Sequence, residues 1–359
     1  MAGTSLRPQR SSLIAETVHV LRESLQSGKW HGQLPGERIL CAEWGISRPT
    51  LRVAVESLCR EGLLEVTQGK RTRILLNAQQ KAAGTITIGL LSPDSLQKMP
   101  PFVMLWIDDL RALLAAQGQL LQVHVGRAGF GTMNPDHALA AFVHSMPATL
   151  WLLYQSTEAM QRWFAHEALP CLVIGSLFPE VKLPAVDRDY RAVCRHTVGL
   201  LTGRGHRRLA FLIHEQRLGG DLESEQGYLE GLETSRQKET SGVILHHDDT
   251  ILGICDTLDR MLAKKVRPTA LLVARTSVAL TVYSHLTRLR VRIPEDIAII
   301  CRDDDAFLDS IIPRMSRYSI NPSDFAKRVF RIVISQVESG HVLKGMKTIM
   351  PVFTERESA

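Results

Sequence analysis

Two arginines in residues 34–63 carry the clearest chemical signal in the chain. Arg48 and Arg52 are four positions apart, so a helix would present them one turn apart on the same face. Arginine offers a fork of N–H donors that fits O6 and N7 of guanine in the major groove of DNA. Ser47 comes directly before them and is a good helix N-cap, because its hydroxyl can accept from a first-turn N–H group. The pattern indicates a helix whose N-terminal end enters a major groove.

The elements that would position these arginines can be predicted from the same run. Residues 37–44 are predicted to form one helix, and a short turn leads to a second helix that ends near residue 61. On the second helix Leu51, Val55 and Leu58 recur at i, i+4 and i+7, which predicts a buried stripe. The two helices and their turn therefore form a helix-turn-helix.

The segment after the second helix predicts a β-hairpin with a basic tip. Residues 63–66 would form its first strand, and residues 68–73 (QGKRTR) carry the positive charge. The fragments LPGER, GISRPTLR, EGLL and QGK closely resemble the GntR family of bacterial transcription regulators, over roughly residues 11–76. The resemblance implies a winged helix-turn-helix (α+β) that binds double-stranded DNA.

The resemblance also implies which residues contact DNA. From the first helix of the motif to the wing, they are Arg38, Ser47, Arg48, Thr50, Arg52, Gln68, Gly69 and Lys70. The first would contact phosphate, the next four would lie at the major groove, and the last three would carry the wing into the neighbouring minor groove. Short hydroxyls reach phosphate, and a glycine lets the backbone approach the groove floor. The alternative is a basic, solvated helix pair with no role in DNA binding.

The positive charge of the chain is concentrated in its N-terminal part. Residues 1–84 contain 12 Lys and Arg against 7 Asp and Glu, a net charge of +5. The remaining residues contain 31 against 30, which leaves a net charge of only +1. This division is expected when one small domain neutralises phosphates and the rest of the chain does not.

Composition places the chain among reduced, cytosolic proteins. It has 359 residues, of which 45% are hydrophobic, enough for two or three domains. No run approaches the roughly 20 apolar residues of a membrane span, and the first residues lack the apolar core of a signal peptide. The six cysteines are scattered without a C-x-x-C pair, so we expect neither disulfides nor a metal site, and no cofactor. We expect a cytoplasmic location and no membrane partner.

The pattern changes after a polar, aperiodic stretch at residues 78–84, which predicts a linker between residues 1–77 and residues 85–359. Continuous apolar runs then alternate with amphipathic helical stretches, which indicates parallel sheets covered on both faces. The predicted strands are Thr85–Leu91, Leu120–Val125, Thr149–Tyr154, Cys171–Gly175, Arg208–Ile213, Val243–Leu245, Thr269–Val273 and Ile297–Cys301. Eight such strands predict two α/β lobes with a cleft between them.

Four segments of this region carry a second resemblance. Residues 185–193, 202–213, 291–304 and 317–322 look like the corresponding parts of the LacI-type, periplasmic-binding-protein-like sensor fold. The resemblance implies two Rossmann-like α/β lobes joined by crossover strands, a ligand cleft between them, and a homodimer used for ligand sensing. A GntR-type domain joined to such a sensor is similar to the arrangement of arabinose-responsive repressors.

The residues expected at the ligand cleft depart from that family's usual sugar-binding pattern. Gly175 stands where an acid usually ends the fourth strand, Ser224 replaces an arginine, and Arg275 begins the pair that is usually Asn-Asp. Asp303 is kept after the strand at residues 297–301, and Phe102 completes the set of expected ligand residues. Because a sugar hydroxyl needs carboxylates and an arginine or amide to replace its water, an ordinary hexose or pentose is in doubt.

These departures leave three interpretations of the cleft open. It binds a small polar effector such as a sugar derivative, it binds an anion paired with Arg275, or it senses nothing. We also expect Arg275 and Asp303 to lie close together, because both follow neighbouring strands, and to form an ion pair across the site if the cleft is otherwise empty of partners. The whole chain is predicted to be a dimeric DNA-binding transcription regulator, a repressor of a palindromic operator. The competing hypotheses are a constitutive DNA-binding regulator whose sensor serves dimerisation, and a two-lobed α/β enzyme.

Overall fold

A computed structural model describes most of the chain, and the ranges described are residues 13–26, 30, 33–60, 64–66, 72–74, 86–126, 136–146, 148–235, 239–339 and 345–359. The chain divides into two units, Met1–Thr85 and Ile86–Ala359. The predicted linker at residues 78–84 lies outside the described residues.

The first unit contains the predicted helix-turn-helix. Its elements are α1 (Leu13–Gln26), α2 (Glu37–Trp44), α3 (Arg48–Arg60), β1 (Leu64–Glu65) and β2 (Arg73–Ile74). Gly45 ends α2 in the left-handed conformation at φ 65°, which glycine adopts at little cost. Ser47 then caps α3, because its Oγ accepts from the backbone N–H of Thr50 at 3.3 Å. Leu51 and Leu58 are buried and Val55 is half-buried, so the predicted apolar stripe is confirmed.

The hairpin after α3 is confirmed in part. Strands β1 and β2 pair antiparallel, with Leu64 opposite Ile74 and Glu65 opposite Arg73. The predicted basic tip at residues 68–71 lies outside the described residues.

The second unit is built from two six-stranded sheets with helices on both faces. Its helices are α4 (Pro101–Ala115), α5 (Asp136–Ser145), α6 (Glu158–His166), α7 (Tyr190–Gly203), α8 (Gly219–Glu233), α9 (Ile251–Leu262), α10 (Thr276–Arg288) and α11 (Pro322–Ser339). Its strands are β3 (Thr87–Ser92), β4 (Leu120–Val125), β5 (Leu150–Tyr154), β6 (Cys171–Ile174), β7 (Ala185–Arg188), β8 (Arg208–His214), β9 (Ser241–His247), β10 (Ala270–Val273), β11 (Ala298–Cys301), β12 (Ser316–Ser319), β13 (Met346–Ile349) and β14 (Val352–Thr354).

The first lobe has the strand order β13-β7-β6-β5-β3-β4, and all of its neighbouring strands are parallel. Helices α4 and α11 cover one face, where Trp106 and Phe325 pack edge-to-face with ring centroids 5.6 Å apart. Helices α5 and α6 cover the other face, with Phe164 and Trp163 packed against the buried strands. Burial on both faces explains why the central strands β5 and β6 are continuous apolar runs in the sequence.

The second lobe has the strand order β14-β12-β11-β10-β8-β9. Its strands are parallel apart from β14, which pairs antiparallel with β12. Helices α9 and α10 bury one face, and α7 and α8 bury the other, where Tyr228 of α8 packs on Phe211.

The chain crosses between the lobes three times: from β7 to α7, from β12 to α11, and from β13 to β14. The two predicted α/β lobes joined by crossover segments are therefore confirmed. All eight predicted strands form within about two residues of their predicted bounds. The short strands β7, β12, β13 and β14 were not among the predicted strands, because each has at most four residues and none is apolar at every position.

Candidate functional site

A cavity of about 210 Å³ lies between the two lobes of the second unit. Its first wall comes from the start of α4 and from residues that follow β5, β6 and β7, and its second wall comes from the start of α8 and the residues after β10 and β11. Parallel strands of one sheet end at the same edge, so their following residues converge there. The topology of both sheets therefore directs these residues into a single site.

Arg188 joins the two walls of this cavity. It ends β7 in the first lobe, and its Nη1 donates to Oδ1 of Asp303 in the second lobe at 2.6 Å. The guanidinium carbon lies 4.5 Å from the ring centroid of Phe102 and 5.5 Å from that of Tyr190. Both side chains of the ion pair are less than one-fifth exposed, at 18% and 19%. The aromatic rings hold the guanidinium in place while it bridges the lobes.

Arg302 is the most deeply buried charge of the cavity, with a side chain only 4% exposed. Its Nη1 donates to Oδ1 of Asp221 at 3.1 Å and to Oγ of Ser224 at 2.7 Å. Its guanidinium carbon lies 4.2 Å from the ring centroid of Tyr190, and its Nη2 is 3.6 Å from Oδ2 of Asp303. Its Nε, although buried, has no hydrogen-bond partner among the described residues.

Asp187 contributes a buried carboxyl group to the same cavity. Ser176 Oγ donates to its Oδ2 at 2.7 Å, and the backbone N–H of Arg188 donates to its Oδ1 at 2.7 Å. Burial disfavours the charged form and raises the pKa of Asp187 to about 6, although these hydrogen bonds and the neighbouring arginines act in the opposite direction. The carboxyl therefore titrates only slightly below neutral pH.

Arg275 lies at the more open side of the cavity. Its side chain is 31% exposed, and its Nη atoms are 3.8 Å from Oδ2 of Asp221 and 3.6 Å from Oδ2 of Asp249. The ion pair between Arg275 and Asp303, predicted for a cleft without other partners, does not form because other partners are present. Arg188 and Arg302 occupy the carboxylate of Asp303, and Arg275 is directed towards the start of α8 and the turn after β9.

Four of the five predicted ligand residues line the cavity: Phe102, Gly175, Arg275 and Asp303. Gly175 has φ 148°, a backbone conformation that only glycine adopts readily, which explains why no acid stands at this position. Ser224 is not among the lining residues. Its side chain is fully buried behind Arg302, where its hydroxyl accepts from that arginine and donates to the carbonyl of Gly220 at 2.7 Å.

Of the lining residues described above, the sequence prediction missed five: Asp187, Arg188, Tyr190, Asp221 and Arg302. Arg188 and Arg302 do carry a sequence signal, because each is a charged residue directly at or after the end of a buried strand. Asp221 and Tyr190 carry none, because they stand in first helical turns where polar residues are common for other reasons.

The residues predicted to contact DNA are present on the surface of the first unit where the structure describes them. Arg38, Ser47, Arg48 and Arg52 are exposed and Thr50 is half-buried. Arg52 forms a forked pair with Glu37 of α2, with Nε 3.0 Å from Oε1 and Nη2 3.0 Å from Oε2.

Ser47 Oγ and Thr50 Oγ1 are 2.8 Å apart, so the two hydroxyl groups are hydrogen-bonded to each other at the start of α3. The predicted wing residues Gln68, Gly69 and Lys70 lie outside the described residues.

Within the described ranges, no group of three or more His, Cys, Asp or Glu residues is arranged to hold a metal ion. The cysteines are free, and Cys171, Cys194 and Cys301 are buried. None of the helices in the described part of the chain is long and apolar enough to cross a bilayer.

Comparisons with known families match both units. Residues 13–74 match the model described as bacterial regulatory proteins of the gntR family. Residues 198–359 match the model described as a periplasmic binding protein-like domain.

Curated relatives of this chain are transcription regulators. A protein of Rhizobium rhizogenes named "Probable opine utilization operon repressor" is 27% identical over 178 residues, which cover 47% of this chain and 89% of the relative. The HTH-type transcriptional regulator CelR of Thermobifida fusca is 21% identical over 293 residues, covering 80% of this chain and 84% of the relative.

Solved structures of LacI family regulators share the fold of the second unit. A putative LacI-type transcriptional regulator from Bacillus cereus subsp. cytotoxis superposes with a TM-score of 0.66 at 18% identity, covering 77% of this chain and 98% of the other. A LacI family regulator from Enterococcus faecium, solved with bound ribose, superposes with a TM-score of 0.62 at 17% identity, covering 76% of this chain and 98% of the other.

The fold and these comparisons define the class of the protein as a DNA-binding transcription regulator. Within that class, the chain combines a GntR-type helix-turn-helix region with a periplasmic-binding-protein-like domain, and its second unit has the fold of LacI family regulators. The predictions of the two-part fold and of a DNA-binding transcription regulator are confirmed.

Proposed function

We propose that this protein is a repressor whose affinity for its operator is controlled by a small polar effector in the cavity between the lobes. The proposal rests on the charged groups of both lobes that line one cavity. Arg188 Nη1 of the first lobe donates to Oδ1 of Asp303 in the second lobe at 2.6 Å. A molecule that binds there contacts both lobes, so it changes the free energy of lobe closure. The repressor name of the relative from Rhizobium rhizogenes supports the sign of regulation.

The coupling to DNA runs through a homodimer that acts in the cytoplasm. Two copies of the first unit would bind two half-sites of a palindromic operator, and lobe closure would change the spacing of their recognition helices. Arg48 and Arg52 would read base edges from α3, Ser47 and Thr50 would contact the backbone, and Arg38 would neutralise phosphate. Gln68, Gly69 and Lys70 would extend the contact into the minor groove.

The cavity residues that would contact the effector are Phe102, Gly175, Arg275 and Asp303, with Arg188 and Arg302 added by their geometry. In this proposal Ser224 positions Arg302 and does not touch the effector. The protein has no catalytic role, and it releases the effector unchanged.

The test begins with selection of bound sequences from random duplex DNA by the full-length protein. We expect an inverted repeat, with an affinity that falls steeply as salt rises because phosphate contacts release counterions. Sedimentation at micromolar concentration should give a dimer both with and without the operator.

Sugars, sugar acids, amino acids and opines are then screened for compounds that release the selected operator. A compound that releases the operator and is recovered unchanged supports the proposal. Failure to select any sequence contradicts the regulator, a monomer contradicts the two-fold operator, and conversion of the compound by the protein alone favours the enzyme. Operator binding that no cavity ligand alters favours the constitutive regulator.

A further inference from the structure

The charges of the inter-lobe cavity are balanced. Three arginines (188, 275 and 302) and four aspartates (187, 221, 303 and 304) line it. Asp304 is already committed outside the cavity, because its Oδ1 accepts from Nε of Arg317, a buried arginine of β12. Three arginines therefore face three carboxyl groups, and one of these arginines, Arg275, also lies 3.6 Å from Asp249 outside the lining. The cavity thus offers no excess of positive charge to a simple anion.

The ion pair between Arg188 and Asp303 links the two walls of the cavity. It spans the two lobes with both partners less than one-fifth exposed, so it competes with any ligand for the same two groups. A neutral sugar that displaces it leaves Arg188 with hydroxyl partners in place of a carboxylate, and leaves Asp303 with Arg302 as its one remaining arginine partner. A simple anion satisfies Arg188 but leaves Asp303 exposed to a second negative charge, and a simple cation has the converse effect.

A molecule with one charge of each sign replaces both halves of the pair. Its carboxylate takes the place of Asp303 beside Arg188, and its ammonium group takes the place of Arg188 beside Asp303. Burial of either group alone would be costly, whereas the opposite charges of the molecule compensate both. Charge balance and the inter-lobe pair thus point to the same class of ligand.

The aromatic surroundings and one orphaned donor fit the carboxylate half of such a molecule. Phe102 and Tyr190 fix the guanidinium of Arg188, and Tyr190 also contacts the guanidinium of Arg302, so both guanidinium groups lie against one aromatic ring. Arg302 is 4% exposed, and its Nε has no partner among the described residues. A carboxylate that enters beside Arg188 therefore adds an acceptor to a site that contains a second arginine with an unsatisfied donor.

We propose that the effector is a small zwitterion, an amino acid or an N-substituted amino acid, that inserts between Arg188 and Asp303. The inference deepens the proposed function and rests on it, because it names the ligand class of the same cavity. It sets this chain apart from the structural neighbour that contains ribose.

The experiment uses the full-length protein and its selected operator. The panel contains the L-amino acids, N-carboxyalkyl amino acids, ribose and, for each active compound, the analogue without the amino group and the analogue without the carboxylate. Thermal shift and operator release are measured for every member. We expect an amino-acid compound to act, and both of its truncated analogues to bind at least tenfold more weakly.

Charge-specific variants locate the two halves of the ligand. Arg188→Gln should weaken binding of the zwitterion at least tenfold, whereas Asp303→Asn should shift preference towards the analogue that lacks the amino group. The matched controls Arg292→Gln and Asp296→Asn remove the corresponding groups of an exposed pair, 2.8 Å apart, and should leave effector binding unchanged.

Three results overturn the inference: operator release by ribose alone, equal release by a carboxylate without an amino group, or no response to any amino-acid compound. In each case a selected operator that still binds the protein leaves the proposed regulator intact. If no operator sequence is selected, the proposed function itself fails, and that result is distinct from failure of this inference.

Discussion

Gly219 controls how closely the two lobes can approach. It is the first residue of α8, and a Cβ built on it would lie 2.4 Å from the backbone oxygen of Ser176 and 2.8 Å from its carbonyl carbon. Ser176 follows β6 in the other lobe, so the close contact is between lobes. The carbonyl cannot turn away cheaply, because Nε2 of the buried Gln161 donates to it at 3.1 Å.

The substitution Gly219→Ala should therefore hold the lobes apart. Relaxing the 2.4 Å contact to the 3.4 Å of ordinary van der Waals contact requires a separation of about 1 Å at this point. An inserted methyl group in a tight contact costs about 1–3 kcal/mol. If lobe closure bears this cost, the affinity of the effector falls roughly 5–150-fold.

The assay compares effector-dependent operator release with the urea midpoint of the same variant. We expect the effector titration to move to higher concentration while the unfolding midpoint of the second unit changes little. Gly199→Ala is the matched control, since nothing lies within 4 Å of a Cβ at that position in α7 and alanine is favoured over glycine in a helix. Unchanged effector affinity in a folded Gly219→Ala protein would refute the closure argument.

Three further predictions concern other parts of the molecule. Arg48→Ala should cost about 1–3 kcal/mol on the selected operator and relax its sequence preference, whereas Lys70→Ala should weaken all duplexes evenly and flatten the salt dependence, as measured by DNA titration. Asp221→Ala should lower the free energy of unfolding by about 3–5 kcal/mol in urea, because it removes the carboxylate that accepts a hydrogen bond from the buried guanidinium of Arg302. Burial lowers the pKa of His247 to about 4, below the usual 6.5, so the stability it contributes is present above pH 6.5 and is lost as the pH falls towards 4. His247→Gln should therefore flatten the fall in the urea midpoint between pH 7 and 4.

Each of these predictions has a result that contradicts it. Equal affinity of the parent and Arg48→Ala for the operator would remove α3 as the recognition helix. A urea midpoint that Asp221→Ala leaves in place would mean that Arg302 finds other partners at no cost. An acid profile unaltered by His247→Gln would assign the loss of stability to other groups.

Local patterns were sufficient to predict most of the secondary structure. Leu51, Val55 and Leu58 predict the buried face of α3 because helical periodicity depends only on sequence spacing. The cap at Ser47 depends on a residue three positions away. Most of the eight predicted strands of the second unit were equally visible, because a parallel strand buried on both faces is a nearly continuous apolar run.

The geometry of the cavity could be predicted only in part. The expectation that residues after the strands meet at one edge held for Gly175, Arg275 and Asp303. The ion-pair partners could not be predicted from the sequence, because Asp303 pairs with Arg188, a residue 115 positions away. Ser224 was expected to contact the ligand, but its side chain lies behind Arg302 and does not line the cavity.

The sequence by itself determined the helix-turn-helix, the alternation of strands and helices, and the set of charged residues that follow the strands. Those features depend on spacing, capping and apolar runs within a few residues of one another. Only the tertiary structure decided which charges face each other, because that depends on how the crossing segments bring the two lobes together. Arg188 and Arg302 share one aromatic ring and one carboxylate as a result of that arrangement, and no pattern along the chain expresses it.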